Sequence, residues 1–119
     1  MKDFRNLNVW QKSHLFVLDI YEVTTKFPKE EKFGLTSQIR RAGVSIPANI
    51  AEGCGRRSDA ELSHFLQIAI GSASEIEYHL MLTRDLNLLN KSDYTRLESQ
   101  VIEIKRMLAS FIKRLNADR

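Results

Sequence analysis

Apolar residues recur along this chain at alternating spacings of three and four, the period of a helix that buries one face. The first run covers residues 8–27, with Val9, Phe16, Ile20, Val23 and Phe27 on the stripe and Ser13 in its one gap. Asn8 is a suitable cap at its start, and Pro28 disfavours the helical conformation at Phe27, which sets its expected end. Trp10, Val17 and Tyr21 add a second apolar flank.

The second run covers 35–54, with Leu35, Ile39, Ala42, Ile46 and Ile50 on its stripe. Its remaining faces are small: Gly43, Ser45, Ala48, Ala51 and Gly53. Such a surface lets a neighbouring helix approach closely. Pro47 removes one backbone hydrogen bond from the interior and is expected to kink the helix. Gly53 or Gly55 is available as a left-handed cap.

The third run covers 59–89. Ser58-Asp-Ala-Glu61 has the form of a capping box, in which the hydroxyl and the carboxylate satisfy the first free amides. Leu62, Leu66, Ala69, Ala73, Ile76 and Leu80 form the stripe, Phe65, Ile68 and Leu82 widen it, and Asn90 is expected to close the helix. The fourth run covers 92–116, with Ser92 as the expected cap and Tyr94, Leu97, Val101, Ile104, Leu108, Phe111 and Leu115 in unbroken register. Ile102, Ala109 and Ile112 make a partial second stripe.

Four long amphipathic helices with short links predict an all-α, antiparallel up-and-down four-helix bundle packed at about 20°. The 119 residues suffice for one domain, 1–119, with one core. Segments 28–34 and 54–58 are the expected mobile links. Three helices carry more apolar surface than one core needs, which points to self-association or a protein partner.

Composition narrows the classes. Cys54 is the single cysteine, so no disulfide can form within the chain, as suits a reducing compartment. The opening MKDFRNLNVWQK has no apolar signal core, and no apolar run approaches the ~20 residues of a membrane span. A cytoplasmic location with no membrane partner is the expectation. Net charge is +3, and it is unevenly spread. Residues 35–57 carry Arg40, Arg41, Arg56 and Arg57 against Glu52 alone, and residues 91–119 are also basic on balance. Residues 59–90 carry five acidic groups against Arg84. Counting alone is consistent with an ordinary solvated surface.

No catalytic constellation stands out. Glu61-Leu-Ser-His64 has the Glu-x-x-His spacing of di-iron bundles, but one copy falls short of the ligands such sites need, so neither metal nor other cofactor is expected. Glu75 and His79 are spaced to pair. Cys54 has no evident base, although Arg56 and Arg57 nearby are expected to lower its pKa somewhat. A small residue at a helix end is the simpler reading. The polar residues Ser45, Asn49, Glu52, Ser72 and Glu75 interrupt small or apolar faces and are expected to form a buried hydrogen-bonded network that fixes register.

The stretch from residue 34 to residue 80 carries Gln38-Ile-Arg-Arg41, Ser45-Ile-Pro-Ala-Asn-Ile-Ala-Glu-Gly53, Arg56, and the Phe65-Leu66, Ala69, Gly71-Ser72 and Glu75 series. With the opening Phe4-Arg-Asn-Leu-x-Val-Trp10 and Phe27-Pro28, these elements resemble the four-helix-bundle proteins encoded in intervening sequences of bacterial ribosomal RNA genes. Gly43 and Cys54 depart from that pattern. The resemblance implies a homopentamer with a central passage. It also implies a relation to the accessory protein of diversity-generating retroelements, a basic pentameric barrel that binds nucleic acid and a reverse transcriptase.

Together these readings predict a non-enzymatic, homo-oligomeric accessory protein that binds nucleic acid, RNA before DNA. Arg40 and Arg41, Arg56 and Arg57, and the strip Lys105, Arg106, Lys113 and Arg114 are the expected phosphate contacts. Exposed stacking aromatics are expected to be scarce. One arginine of each pair has an alternative role in holding subunits together through Glu52 or a neighbouring copy's carboxylate. The competing reading is a scaffold with no nucleic-acid ligand.

Overall fold

A computed structural model describes residues 2–117. Four α-helices span Asn8–Thr24 (α1), Leu35–Cys54 (α2), Asp59–Asp85 (α3) and Lys91–Ala117 (α4), with single 3-10 turns at Phe4–Asn6 and Lys29–Glu31. Consecutive helices pack together, α4 closes back on α1, and the backbones of the diagonal pairs make no close approach. The result is a four-helix bundle of 47 × 23 × 20 Å.

The stripes read from the sequence form its core. Phe16, Ile20, Ile39, Ile46, Ile50, Leu66, Ile76, Leu97, Val101, Ile104 and Leu108 are essentially sealed from solvent, and only Leu35 of the stripe residues is left half-exposed. The small face of α2 allows a close approach of its neighbours. A β-carbon on Gly43 would lie 3.2 Å from Ile76 of α3 and 3.9 Å from Ile20 of α1. α2 runs unbroken through Pro47.

Several helix ends differ from expectation. α1 stops at Thr24, and residues 25–27 continue as tighter turns, with Lys26 N–H donating to Val23 O and Phe27 N–H to Thr24 O. The Thr24 and Thr25 hydroxyls donate to Ile20 O at 2.7 Å and Glu22 O at 2.6 Å, a local alternative to further helix. Asn8 is the first helical residue and not a cap; Leu7 occupies the cap position without a side-chain bond. α2 ends on Gly55 in a right-handed conformation, so neither glycine is a left-handed cap. At the start of α3 the Ser58 hydroxyl accepts from Glu61 N–H at 3.1 Å and lies 3.4 Å from the Glu61 carboxylate, half of the expected box.

α3 ends at Asp85, before the expected Asn90. Asn87 takes a φ of 61°, letting Leu88 N–H reach Thr83 O at 2.9 Å and Asn87 N–H reach Arg84 O at 3.0 Å. This is a left-handed helix stop with asparagine where glycine is usual. Asn90 instead caps α4, accepting from Asp93 N–H at 2.7 Å, and Ser92 lies inside the helix. Arg96 clamps α4 to α1 through two bonds of 2.9 Å to Asp19, with a third of 2.8 Å to Asp93.

Candidate nucleic-acid interface

Adjacent residues on a helix point about 100° apart, so each arginine pair is divided between different surroundings. Arg40 turns toward α1. Its Nε donates to Thr24 Oγ1 at 2.9 Å, and its guanidinium lies 4.6 Å from the centre of the Tyr21 ring. It is a helix-packing residue. Arg41 points outward, exposed, into a groove of about 360 Å³ between α2 and α3 that it shares with Gln38, Ser45, Ser72 and Glu75. Arg56 pairs with Glu52 of its own chain at 2.9 Å and covers Phe65 at 4.7 Å, while Arg57 is exposed.

The strip on α4 divides in the same way. Lys105 bridges to Glu77 of α3 at 2.9 Å. Arg106 and Lys113 are exposed, and Arg114 hydrogen-bonds Ser110 at 3.3 Å and lies 5.6 Å from the centre of the Phe111 ring. Among the described residues, no carboxylate pairs with Arg41, Arg57, Arg106 or Lys113. Arg41 belongs to α2 and Arg106 and Lys113 to α4, which are diagonal partners. Arg41 and the α4 strip therefore lie on separate faces of the bundle.

The polar network is smaller and more open than expected. Ser45 Oγ and Ser72 Oγ lie 2.7 Å apart across the α2–α3 seam, and Asn49 Nδ2 donates to Ser45 O at 2.8 Å and Ser45 Oγ at 2.9 Å. All three residues are half-buried. Glu52 and Glu75 stand outside it. Each is exposed and pairs one turn along its own helix, Glu52 with Arg56 and Glu75 with His79 at 3.1 Å. A carboxylate that keeps its water avoids the desolvation cost that burial in the seam would bring.

Two features were not legible from the sequence. Phe4, Trp10 and His14 form a partly exposed aromatic ladder, with Phe4 and Trp10 centroids 4.9 Å apart and His14 stacked on Trp10 at 5.1 Å. A cleft of about 510 Å³ separates the N-terminal turn from the second half of α4, lined by Asn6, Asn8, Arg106, Met107, Phe111 and Arg114 among others. The first joins the start of α1 to the preceding 3-10 turn, and the second joins the two ends of the chain. Neither spacing has a recognisable signature.

Cys54 is buried, and burial pushes its thiol above the ordinary range, against the lowering expected from Arg56 and Arg57; a smaller opposing influence comes from Lys2. His64 is exposed and edges onto Phe65, while Glu61 serves the start of α3. Among the described residues, no three His, Cys, Asp or Glu side chains gather as a metal site, and no helix is long and apolar enough to cross a membrane.

The sequence profile described as 23S rRNA-intervening sequence protein matches residues 5–110. A crystal structure from Bacteroides thetaiotaomicron, described as a protein of unknown function from the S23 ribosomal protein family, is similar. It is 34% identical, with a TM-score of 0.82, over 88% of this chain and 95% of that one. Comparison with curated proteins gave no match.

Proposed function

We propose that this chain, which belongs to the 23S rRNA-intervening sequence protein family, is a non-enzymatic, homo-oligomeric cytoplasmic protein that binds nucleic acid, structured RNA foremost. The observation that carries the reading is the set of exposed, unpaired cations Arg41, Arg57, Arg106 and Lys113. Neighbouring acidic side chains are engaged elsewhere: Asp19 and Asp93 by Arg96, Glu77 by Lys105, Glu103 by Lys12, Glu52 by Arg56. Guanidinium and ammonium groups left unneutralised at a surface attract phosphate oxygens and release counterions when they bind them.

Self-association draws support from an apolar surface that borders Arg41. Leu15, Leu18 and Tyr21 of α1, Val44 of α2 and Phe33 between them are exposed, Phe33 to 91%. Tyr21, Phe33 and Val44 line one shallow groove, and apolar side chains exposed together in this way mark an interaction surface. A pentamer is the expected assembly. Because the two basic faces lie on diagonal helices, a ligand spanning both draws on more than one copy. A reverse transcriptase is a candidate protein partner, on the strength of the family relation alone.

The test is retention of a structured RNA at increasing salt, with light scattering on the same sample. Binding that weakens steeply with salt to an oligomer supports the reading. An oligomer indifferent to RNA and heparin favours the scaffold instead, and a monomer at micromolar concentration removes the assembly claim. Leu18→Glu together with Val44→Glu should disperse the oligomer.

A further inference from the structure

We propose that the cleft between the N-terminal turn and α4 is a site for one nucleoside monophosphate unit, either free or as an unpaired residue of single-stranded RNA. In its RNA form this rests on the nucleic-acid reading above. The cleft brings three chemistries together. Leu7, Val9, Met107 and Phe111 supply an apolar floor, Asn6 and Asn8 supply amides on one wall, and Arg106 and Arg114 supply guanidinium groups on the other.

Each wall matches one part of a nucleotide. The paired donor and acceptor of an asparagine amide suit the edge of a base, which presents both. The two guanidinium groups suit the phosphate, which they can bind in bidentate fashion. The body of the base covers the floor. The volume of about 510 Å³ lies in the range of small-molecule sites.

The cleft's electrostatics select for an anion. No carboxylate lines it. Glu103, one turn before Arg106, is held by Lys12 at 3.0 Å and does not neutralise that arginine. Arg114 is already settled at the mouth by Ser110 and the Phe111 ring, so less of its freedom is lost on binding. A plain carboxylate metabolite would satisfy the arginines and leave the amides and floor unused. A fatty chain would fill the floor and strand the cations. A duplex presents its phosphates outward and keeps its bases stacked, so it can touch Arg106 and Lys113 without entering.

The experiment is NMR titration of the full chain with adenosine 5′-monophosphate, adenosine, a short oligoadenylate and an RNA duplex. AMP and the oligoadenylate should shift the side-chain amide signals of Asn6 and Asn8 and the Met107 methyl signal, and should compete for them. Adenosine, which lacks the phosphate, should bind at least about tenfold more weakly, the equivalent of about 1.4 kcal/mol. Ser110→Phe, which fills the cleft and keeps both arginines, should abolish these shifts and leave duplex retention through Arg41 and Arg57 in place. Ser110→Ala, which leaves the cleft open but removes the Ser110 contact to Arg114, should shift the same signals with AMP at a somewhat weaker affinity than the wild type. AMP binding without oligoadenylate binding assigns the cleft to a free nucleotide. Absence of shifts with both probes, or AMP binding undiminished in Ser110→Phe, overturns the site. Duplex retention that survives such a failure keeps the wider RNA reading, and its loss as well brings down both.

Discussion

Gly53 packs so tightly on α3 that a β-carbon there would stand 2.9 Å from the β-carbon of Phe65. Leu62 crowds the same point, with its Cδ1 at 2.9 Å and its carbonyl oxygen at 3.3 Å. A leucine tip can turn away, but the Phe65 Cβ moves only with its backbone. Gly53→Ala should therefore force α2 and α3 apart and cost about 1–3 kcal/mol, although alanine is the better helix former. Gly71 is the control: an added methyl meets nothing within 4 Å, and Gly71→Ala should gain about 0.5–1 kcal/mol. Urea unfolding of both variants checks the pair, and a stabilised Gly53→Ala contradicts the close approach.

The bridge between Ser45 and Ser72 ties the same two helices by a different force. Ser72→Ala should cost about 0.5–1.5 kcal/mol, since it removes one neutral hydrogen bond at a half-buried seam. Asn49→Leu should cost at least as much, because both of its bonds end on Ser45. A double-mutant cycle over Ser45 and Ser72 should show coupling of at least about 0.5 kcal/mol. Additive losses would mean that the two hydroxyls act independently.

Arg40 and Arg41 should separate stability from binding. Arg40→Gln loses the Thr24 bond and the Tyr21 contact, so its effect should appear in unfolding and not in RNA retention. Arg41→Gln should fold normally and weaken RNA binding across unrelated sequences. Each lost phosphate contact should reduce the slope of log affinity against log salt by about 0.7–0.9. The same contrast should hold for Arg56 and Arg57. Light scattering on each variant separates this effect from dispersal of the oligomer.

Cys54 should make stability fall with rising pH. Burial raises its thiol pKa in the folded state, so the unfolded chain releases that proton first. The contribution is complete below the ordinary thiol pKa and is lost as pH climbs through the folded value. Unfolding measured at neutral pH and above about pH 9 should show a larger loss for the wild type than for Cys54→Ala. The native thiol should also alkylate far more slowly than the unfolded one. Equal pH dependence in the two proteins would place the thiol in water.

The sequence by itself determined the four helices, their buried stripes and the bundle they make. The period of apolar positions is a local property of the chain, and a helix that buries such a stripe has few ways to pack. The small face of α2 also forecast a close approach, which Gly43 and Gly53 make. Helix ends were harder, because Asn87 and Asn90 both suit a boundary, and only backbone geometry decides that one stops α3 and the other starts α4. The tertiary structure alone decided which cations are free. Arg40 and Arg41 are chemically identical neighbours, yet one meets α1 and the other meets water, because the placement of the next helix lies outside the local sequence. It alone brought Asn6 and Asn8 against Arg106 and Arg114, since closing α4 onto α1 joins residues from opposite ends of the chain.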